Sequence, residues 1–155
     1  MTGEVVLLKV KMELKVSANE FFSFLVSSIA LDVKTNGDMQ DFTEENIKAG
    51  FSYVKPLLSK LGRQGMTTVT IEKYEPPNVY SASFTSSSGI NKTEYIVDQT
   101  SDGCIQVVYS ESFEGANIFA NINYKIMSFA LINSAKNRAL ANLKAIEEHI
   151  AQERE

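Results

Sequence analysis

The chain has 155 residues, 44% hydrophobic and 22% charged, with a net charge of -4 and one cysteine. That fits one domain spanning residues 1–155, able to bury roughly 68–70% of the surface its unfolded chain would expose without a disulfide or metal. The acidic balance weighs against a nucleic-acid partner, Cys104 alone allows no internal disulfide, and no apolar run approaches the ~18–20 residues of a membrane span. Met1-Thr2-Gly3-Glu4 carries an acid and has no leader character. With a lone thiol, this points to a reducing, cytoplasmic location.

From Val6 to Val16 the residues alternate. Val6, Leu8, Val10, Met12, Leu14 and Val16 share one face, and Lys9, Lys11, Glu13 and Lys15 share the other. Period two over that length predicts a half-buried strand. Its lysines read as a solvated face that discourages edge pairing, rather than as a phosphate patch. Ser17 with Glu20 three residues on is a capping box. The helix it opens places Phe21, Leu25 and Ile29 on one arc, with Phe22, Val26 and Val33 beside it, and should end near Lys34 before Thr35-Asn36-Gly37-Asp38. Thr43 to Gly50 reads as a second short helix, with Thr43 as N-cap, two acids in the first turn and a glycine stop.

An extended run follows from Phe51 to Leu57, then a loop from Leu58 to Gly65 and a β-branched strand from Thr67 to Tyr74. Glu75-Pro76-Pro77-Asn78 is a turn, because neither proline donates to a ladder. Val79 to Thr85 returns, and Ser86-Ser87-Ser88-Gly89 turns the chain again. Ile90 to Asp98 and Cys104 to Phe113 form a hairpin about Ser101-Asp102-Gly103. Short connections predict antiparallel neighbours. The closing segment, about Asn117 to Ile150, repeats apolar residues at steps of three and four: Ile118, Ile122, Ile126, Phe129, Ile132, Ala135, Ala139, Leu143, Ile146 and Ile150. A continuous helix of that length would be ~50 Å long at 1.5 Å per residue, longer than the domain is wide, so a break is expected near Asn121–Asn123. Between Ile126 and Ile132 the segment is apolar nearly all round and must be covered on more than one side. This order of elements predicts an α+β fold in which a curved antiparallel sheet of about six to seven strands wraps a long C-terminal helix.

The usual chemical signatures are absent: no Walker-type loop, GxGxxG, HExxH or paired CxxC. One histidine and one cysteine exclude a Cys/His zinc site within one chain, and no cofactor is implied. His149 beside Glu148 reads as a solvated helix histidine, and Cys104, on the less apolar face of its strand beside an Asp-Gly turn, does not read as a nucleophile paired with it. Polar residues on apolar faces are more informative. On the last strand Ile105, Val107, Tyr109, Glu111 and Phe113 share the better inward face, so Glu111 aims at the interior. Asp32 falls on the arc of Phe21, Leu25 and Ile29. A carboxylate there finds a partner, takes up a proton or sits at a wet rim; for Asp32 the plain reading is solvent at the helix end. Tyr80, Ala82 and Phe84 on one strand, and Thr93, Tyr95 and Val97 on the next, face the same interior by alternation. With Tyr109, three tyrosines and a glutamate sit among aliphatic groups, which describes a small-molecule pocket and equally an ordinary core whose hydroxyls reach the surface.

Val16-Ser17-Ala18 followed by Glu20-Phe21-Phe22 resembles the strand-to-helix entry of the START-like (SRPBCC, helix-grip) superfamily. Gly50-Phe51-Ser52-Tyr53-Val54-Lys55, Ile71-Glu72-Lys73-Tyr74-Glu75-Pro76-Pro77, Tyr109-Ser110-Glu111 and Ala145-Ile146-Glu147-Glu148-His149-Ile150 resemble, more closely, a bacterial family in that superfamily known only as a domain of unknown function. The resemblance covers nearly the whole chain. It implies a bent antiparallel sheet, two short helices after the first strand and a long C-terminal helix across the concave face. It transfers no catalytic residues.

The resemblance favours the pocket. The expectation is then a binding protein holding an apolar or amphipathic small molecule between sheet and C-terminal helix. Tyr80, Tyr95, Tyr109 and Glu111 would supply polarity, and Phe84, Ile126, Phe129 and Ile132 apolar wall. An interaction module, such as a homodimer, in which Met127 and Leu131 meet a partner is the alternative. A cyclase- or hydrolase-type enzyme using Glu111 or Asp32 as base stands third. No catalytic constellation is present, and neither nucleic acid nor membrane insertion is expected.

Overall fold

A computed structural model describes residues 5–37, 39–58, 64–115 and 118–154, with the backbone alone at 5, 57–58, 64 and 118–131. The elements run β1 (Val5–Leu14), α1 (Ala18–Asn36), a 3-10 turn (Glu44–Asn46), β2 (Ser52–Leu58), β3 (Gln64–Glu75), β4 (Val79–Ser86), β5 (Gly89–Ser101), β6 (Cys104–Gly115) and α2 (Ile118–Glu153). The six strands form one sheet in the order β1-β6-β5-β4-β3-β2, antiparallel throughout. The meander from β2 to β6 follows from its short turns, and β1 closes onto β6 to leave β1 and β2 as edges. Register slips at Val6/Leu8, Ile71/Lys73 and Gln99/Ser101 increase the local twist and bend the strands. The curved sheet grips α2, which packs on β1, β6 and α1.

One slip changes a side-chain assignment. Val6 was expected inside with Leu8. The irregularity between Val6 and Leu8 puts one extra residue into β1, so Leu7 and Leu8 are both buried and Val6 is 67% exposed. A one-residue shift sends a strand side chain to the opposite face. Beyond it the alternation holds: Leu8, Val10 and Leu14 are buried, and Lys9, Lys11 and Glu13 are exposed.

The capping box forms at the β1–α1 corner. Glu20 N–H donates to Ser17 Oγ at 3.1 Å and Ser17 N–H to Glu20 Oε1 at 3.0 Å. α1 buries Phe21, Phe22, Leu25, Ile29 and Val33 and ends two residues beyond Lys34. The segment at Thr43–Gly50 contracts to a single 3-10 turn, with Thr43 N–H donating to Asn46 Oδ1 at 2.8 Å. It has a start signal but buries none of its own turn residues, and packing of an apolar face supplies most helical stability. α2 is one helix of 36 residues with no interruption at Asn121–Asn123. No glycine or proline occurs between Ile118 and Glu153, so nothing in the chain forces the break that domain width suggested.

The C-terminal half of α2 is fastened at the same corner. Glu147, only 8% exposed, accepts from the Lys15 N–H at 2.6 Å and from Lys144 Nζ at 2.5 Å. Burial raises its pKa, but those two donors outweigh it and hold the carboxyl below its ordinary value. Arg154 closes a two-pronged pair on Glu20, Nε to Oε2 at 2.7 Å and the terminal nitrogen to Oε1 at 2.5 Å. That pairing and the Ser17 N–H lower Glu20 to about 2. Glu147→Ala removes the acceptor of the Lys15 amide and should cost about 1–3 kcal/mol in urea unfolding with the slope unchanged. Glu20 has a folded pKa below its unfolded value, so its contribution is full above pH 4.5 and disappears as pH falls toward 2. Glu20→Gln should flatten the acid limb of stability against pH in that window, and an unchanged limb would contradict the pairing.

Candidate functional site

Cross-strand register assembles the site. On the concave face Tyr74 lies opposite Tyr80, Tyr80 opposite Tyr95, and Tyr95 opposite Tyr109. One row of four phenols therefore crosses β3, β4, β5 and β6, ending at Val10 on β1. Ring centroids lie 6.3 Å apart for Tyr80–Tyr95 and 4.9 Å for Tyr95–Tyr109, and Phe21 of α1 meets Tyr95 edge-on at 5.8 Å. Tyr109 Oη donates to Glu111 Oε1 at 2.5 Å. Tyr80 is 7% exposed as a residue, and among the described residues no buried side-chain oxygen or nitrogen lacks a hydrogen-bond partner, so neither its hydroxyl nor that of Tyr95 is a buried orphan. Burial first, then the Glu111 charge, pushes Tyr95 up to about 12. Burial also raises Tyr80, helped by Tyr95 and Asp32, and Tyr109, helped by its bond to Glu111. These phenols are neutral donors near neutral pH.

Each end of the row carries charge. At the β2 end Asp32 of α1 accepts from Tyr53 Oη, from Lys55 Nζ at 2.8 Å and from Asn36 Nδ2 at 2.8 Å. Burial raises Asp32, but the bonds from Lys55, Tyr53 and Asn36 bring it below its ordinary value. The solvent reading of Asp32 is thus corrected: alternation on β2 turns Tyr53 and Lys55 inward, toward the end of α1. Lys55 Nζ also sits 6.0 Å from the centre of the Phe84 ring. At the β6 end a hollow of about 50 Å³ opens between sheet and α2, lined by Tyr95, Tyr109, Glu111, Ala135, Arg138, Ala139, Asn142, Leu143 and Ile146. That volume holds a few waters or a polar head, not a whole drug-sized ligand.

Of the residues chosen from sequence, Tyr95, Tyr109 and Glu111 meet in this hollow, and Tyr80 is the next ring along. Phe84 is half-buried at the Asp32 end, and Ile132 is half-buried on α2 one turn before Ala135. Ile126, Phe129, Met127 and Leu131 lie outside the described side chains. Tyr53, Lys55, Arg138 and Asn142 were missed. Period two from Tyr53 to Lys55 was the available signal for the first two. His149 is exposed, 3.1 Å from Glu153 and edge-on to Phe24, as a solvated helix histidine would be. Cys104 is a free thiol at the β5–β6 turn.

Larger hollows lie elsewhere, one of about 290 Å³ between α1 and the β3–β4 turn past Phe22, Val26, Tyr74 and Pro76. Another, of about 460 Å³ on the outer sheet face, has Lys9, Lys73, Glu94, Ser81, Ser110 and Ser112 among its lining, with Lys73 and Glu94 paired at 3.1 Å. A third, about 810 Å³, runs between α1 and α2 past Phe24, Leu31, Ala145 and Ile146. Among the described residues no three His, Cys, Asp or Glu side chains are placed to hold a metal ion, and no helix is long and apolar enough to cross a membrane.

Residues 8–132 match the family described as Domain of unknown function (DUF3284). The chain belongs to the DUF3284 family. No curated protein matches it in sequence. Solved structures share its fold over nearly full length. Ara h 8.0201 superposes with a TM-score of 0.64 at 12% identity, over 97% of this chain and 99% of that one. A conserved protein from Geobacillus kaustophilus gives 0.55 at 21% identity, over 98% and 96%, and a protein of unknown function from Staphylococcus aureus 0.55 at 13%, over 97% and 95%. The DUF3284 chain therefore has the helix-grip fold, and these likenesses carry the fold alone.

Five tyrosines of this DUF3284 chain, Tyr53, Tyr74, Tyr80, Tyr95 and Tyr109, have pKa values raised above the ordinary 10.0. Because their folded values exceed their unfolded ones, they add stability that is full below pH 10 and lost as pH rises beyond it. Ultraviolet titration of the native protein should show phenolate from these five appearing well above pH 10, with a steep rise where the protein unfolds. A smooth single titration of all phenols at pH 10 would contradict the buried row.

Proposed function

We propose that this chain is a binding protein, not an enzyme, that holds an apolar or amphipathic small molecule between the concave face of the sheet and α2. The observation that carries the reading is the phenol row: an apolar wall beneath a helix, with a hollow where Tyr95, Tyr109 and Glu111 meet. A few placed polar groups on an apolar wall are what a small-molecule site requires. The hollow at Tyr95, Tyr109 and Glu111 suits a polar head, with Arg138 and Asn142 at its rim. The apolar body would lie toward Phe84 and Ile132.

Catalysis finds little support in the same groups. A general base works best with its pKa near the operating pH, whereas Asp32 is held down by Lys55, Tyr53 and Asn36. Tyr53 is pushed up by burial and by Asp32, so it is no base either. A protein-interaction role stands second, carried by the α1–α2 groove, where Leu31 is 66% exposed. A dimer in light scattering that Leu31→Lys abolishes would put that reading first.

Native mass spectrometry of freshly purified protein tests the main reading. A retained small molecule is expected, and adding it back at 100 times its dissociation constant should stabilise the fold by about 2.7 kcal/mol. Protein that carries nothing and takes up no uncharged hydrophobic dye saturably would overturn it.

A further inference from the structure

We propose that the hollow between Glu111 and Arg138 receives a neutral carboxamide on an apolar skeleton, its N–H donating to Glu111 and its C=O accepting from Arg138. The inference rests on the cavity reading and deepens it by naming the head group. Glu111 belongs to β6 and Arg138 to α2, so an anion on the sheet side and a cation on the helix side line one space of about 50 Å³. Among the described residues the two form no ion pair with each other, and Arg138 forms none elsewhere.

Both charges act on the phenols of the same hollow. Tyr109 Oη donates to Glu111 Oε1 at 2.5 Å. Burial and that carboxylate raise Tyr109, while Arg138 pulls it the other way. Tyr95 is raised by burial first and then by Glu111, so it too remains a neutral phenol near pH 7. The space exists because α2 brings Ala135 and Ala139, one turn apart, to the positions that Leu143 and Ile146 occupy further along the same lining.

The opposed charges select the head. A carboxylate would pair with Arg138 but face Glu111, and an ammonium would pair with Glu111 but face Arg138. In each case the like charge cancels much of the gain. An ester or ketone accepts from Arg138 and gives Glu111 no donor. An amide is planar, with an N–H and the C=O on opposite sides, so one group serves both walls. Hydrogen bonds to ionised partners are the stronger kind, and a neutral head brings no third charge into the space. Asn142, at the rim one turn beyond Arg138, can donate or accept.

The test titrates octanamide, methyl octanoate and octanoate into the whole chain at pH 7, followed by tyrosine-ring carbon NMR. Octanamide should shift Tyr95 and Tyr109 saturably and bind roughly tenfold or more tighter than the other two. Glu111→Gln keeps the shape and removes the anion. It should weaken octanamide about fivefold or more and strengthen octanoate. Arg138→Met keeps an apolar stem at an exposed position and should weaken octanamide about fivefold or more. Circular dichroism verifies the fold of both variants. Equal affinity for the three heads, or octanamide affinity unmoved by both variants, overturns the amide assignment and leaves the cavity reading intact. Octanoate binding tightest, and losing that advantage in Arg138→Met, overturns it in favour of a carboxylate head. Rings unmoved by all three compounds in protein that still takes up an uncharged hydrophobic dye overturn the head group alone. The same silence in protein that takes up no dye and retains no molecule removes the cavity reading and this inference with it.

Discussion

The placement of α2 is decided at the β1–α1 corner. Glu147 is buried there because the strand has just ended and the Lys15 amide has no ladder partner. Its carboxylate completes that amide while Lys144 balances its charge. About two turns further on, Arg154 reaches the same corner through Glu20, which is also the reciprocal member of the capping box. One short stretch of backbone thus starts α1, ends β1 and anchors α2. The amide needs an acceptor whatever else the helix does, and the remainder of α2 is aimed across the concave face from that anchor.

Given that aim, the sheet determines what lies beneath the helix. Antiparallel register stacks one tyrosine per strand from β3 to β6, and the strands' alternation turns all four toward the helix side. Phenol rings provide apolar area and edge contacts, but their hydroxyls remain to be accounted for. Tyr53 and Tyr109 donate to carboxylates, Tyr53 to Asp32, which Lys55 also pairs, and Tyr109 to Glu111. The middle of the row, Tyr80 and Tyr95, lies between these two charged ends.

Much of this architecture was legible in the residues. Strands and helices announced themselves by period, and the Ser17–Glu20 box located the first helix to within a residue. The inward face of β6, and with it Tyr109 and Glu111, followed from alternation alone. What escaped had physical causes. Val6 turned out because a single inserted residue in β1 inverts facing, and nothing local marks it. The helix over Thr43–Gly50 shrank because capping residues can begin a helix but only packing sustains one. The uninterrupted α2 was misjudged from domain width, although the absence of Gly and Pro was the better guide. Asp32 was recognised as anomalous, but its partners sit on β2, and only three-dimensional closure of α1 against the meander brings Tyr53 and Lys55 to it. The alignment of Tyr74, Tyr80, Tyr95 and Tyr109 likewise depends on turn lengths that set register, which alternation does not specify.

The most direct measurement is a tyrosine-ring carbon NMR titration of the whole chain, with rings assigned by single Phe replacements, using whichever molecule co-purifies or, in its place, an uncharged hydrophobic dye. The account predicts that Tyr80, Tyr95 and Tyr109 shift together and saturably, while amides of Lys73, Ser81 and Ser110 on the outer face stay still. Shifts confined to the outer face or to Phe24 and Leu31 in the α1–α2 groove, with the three rings unmoved, would contradict it.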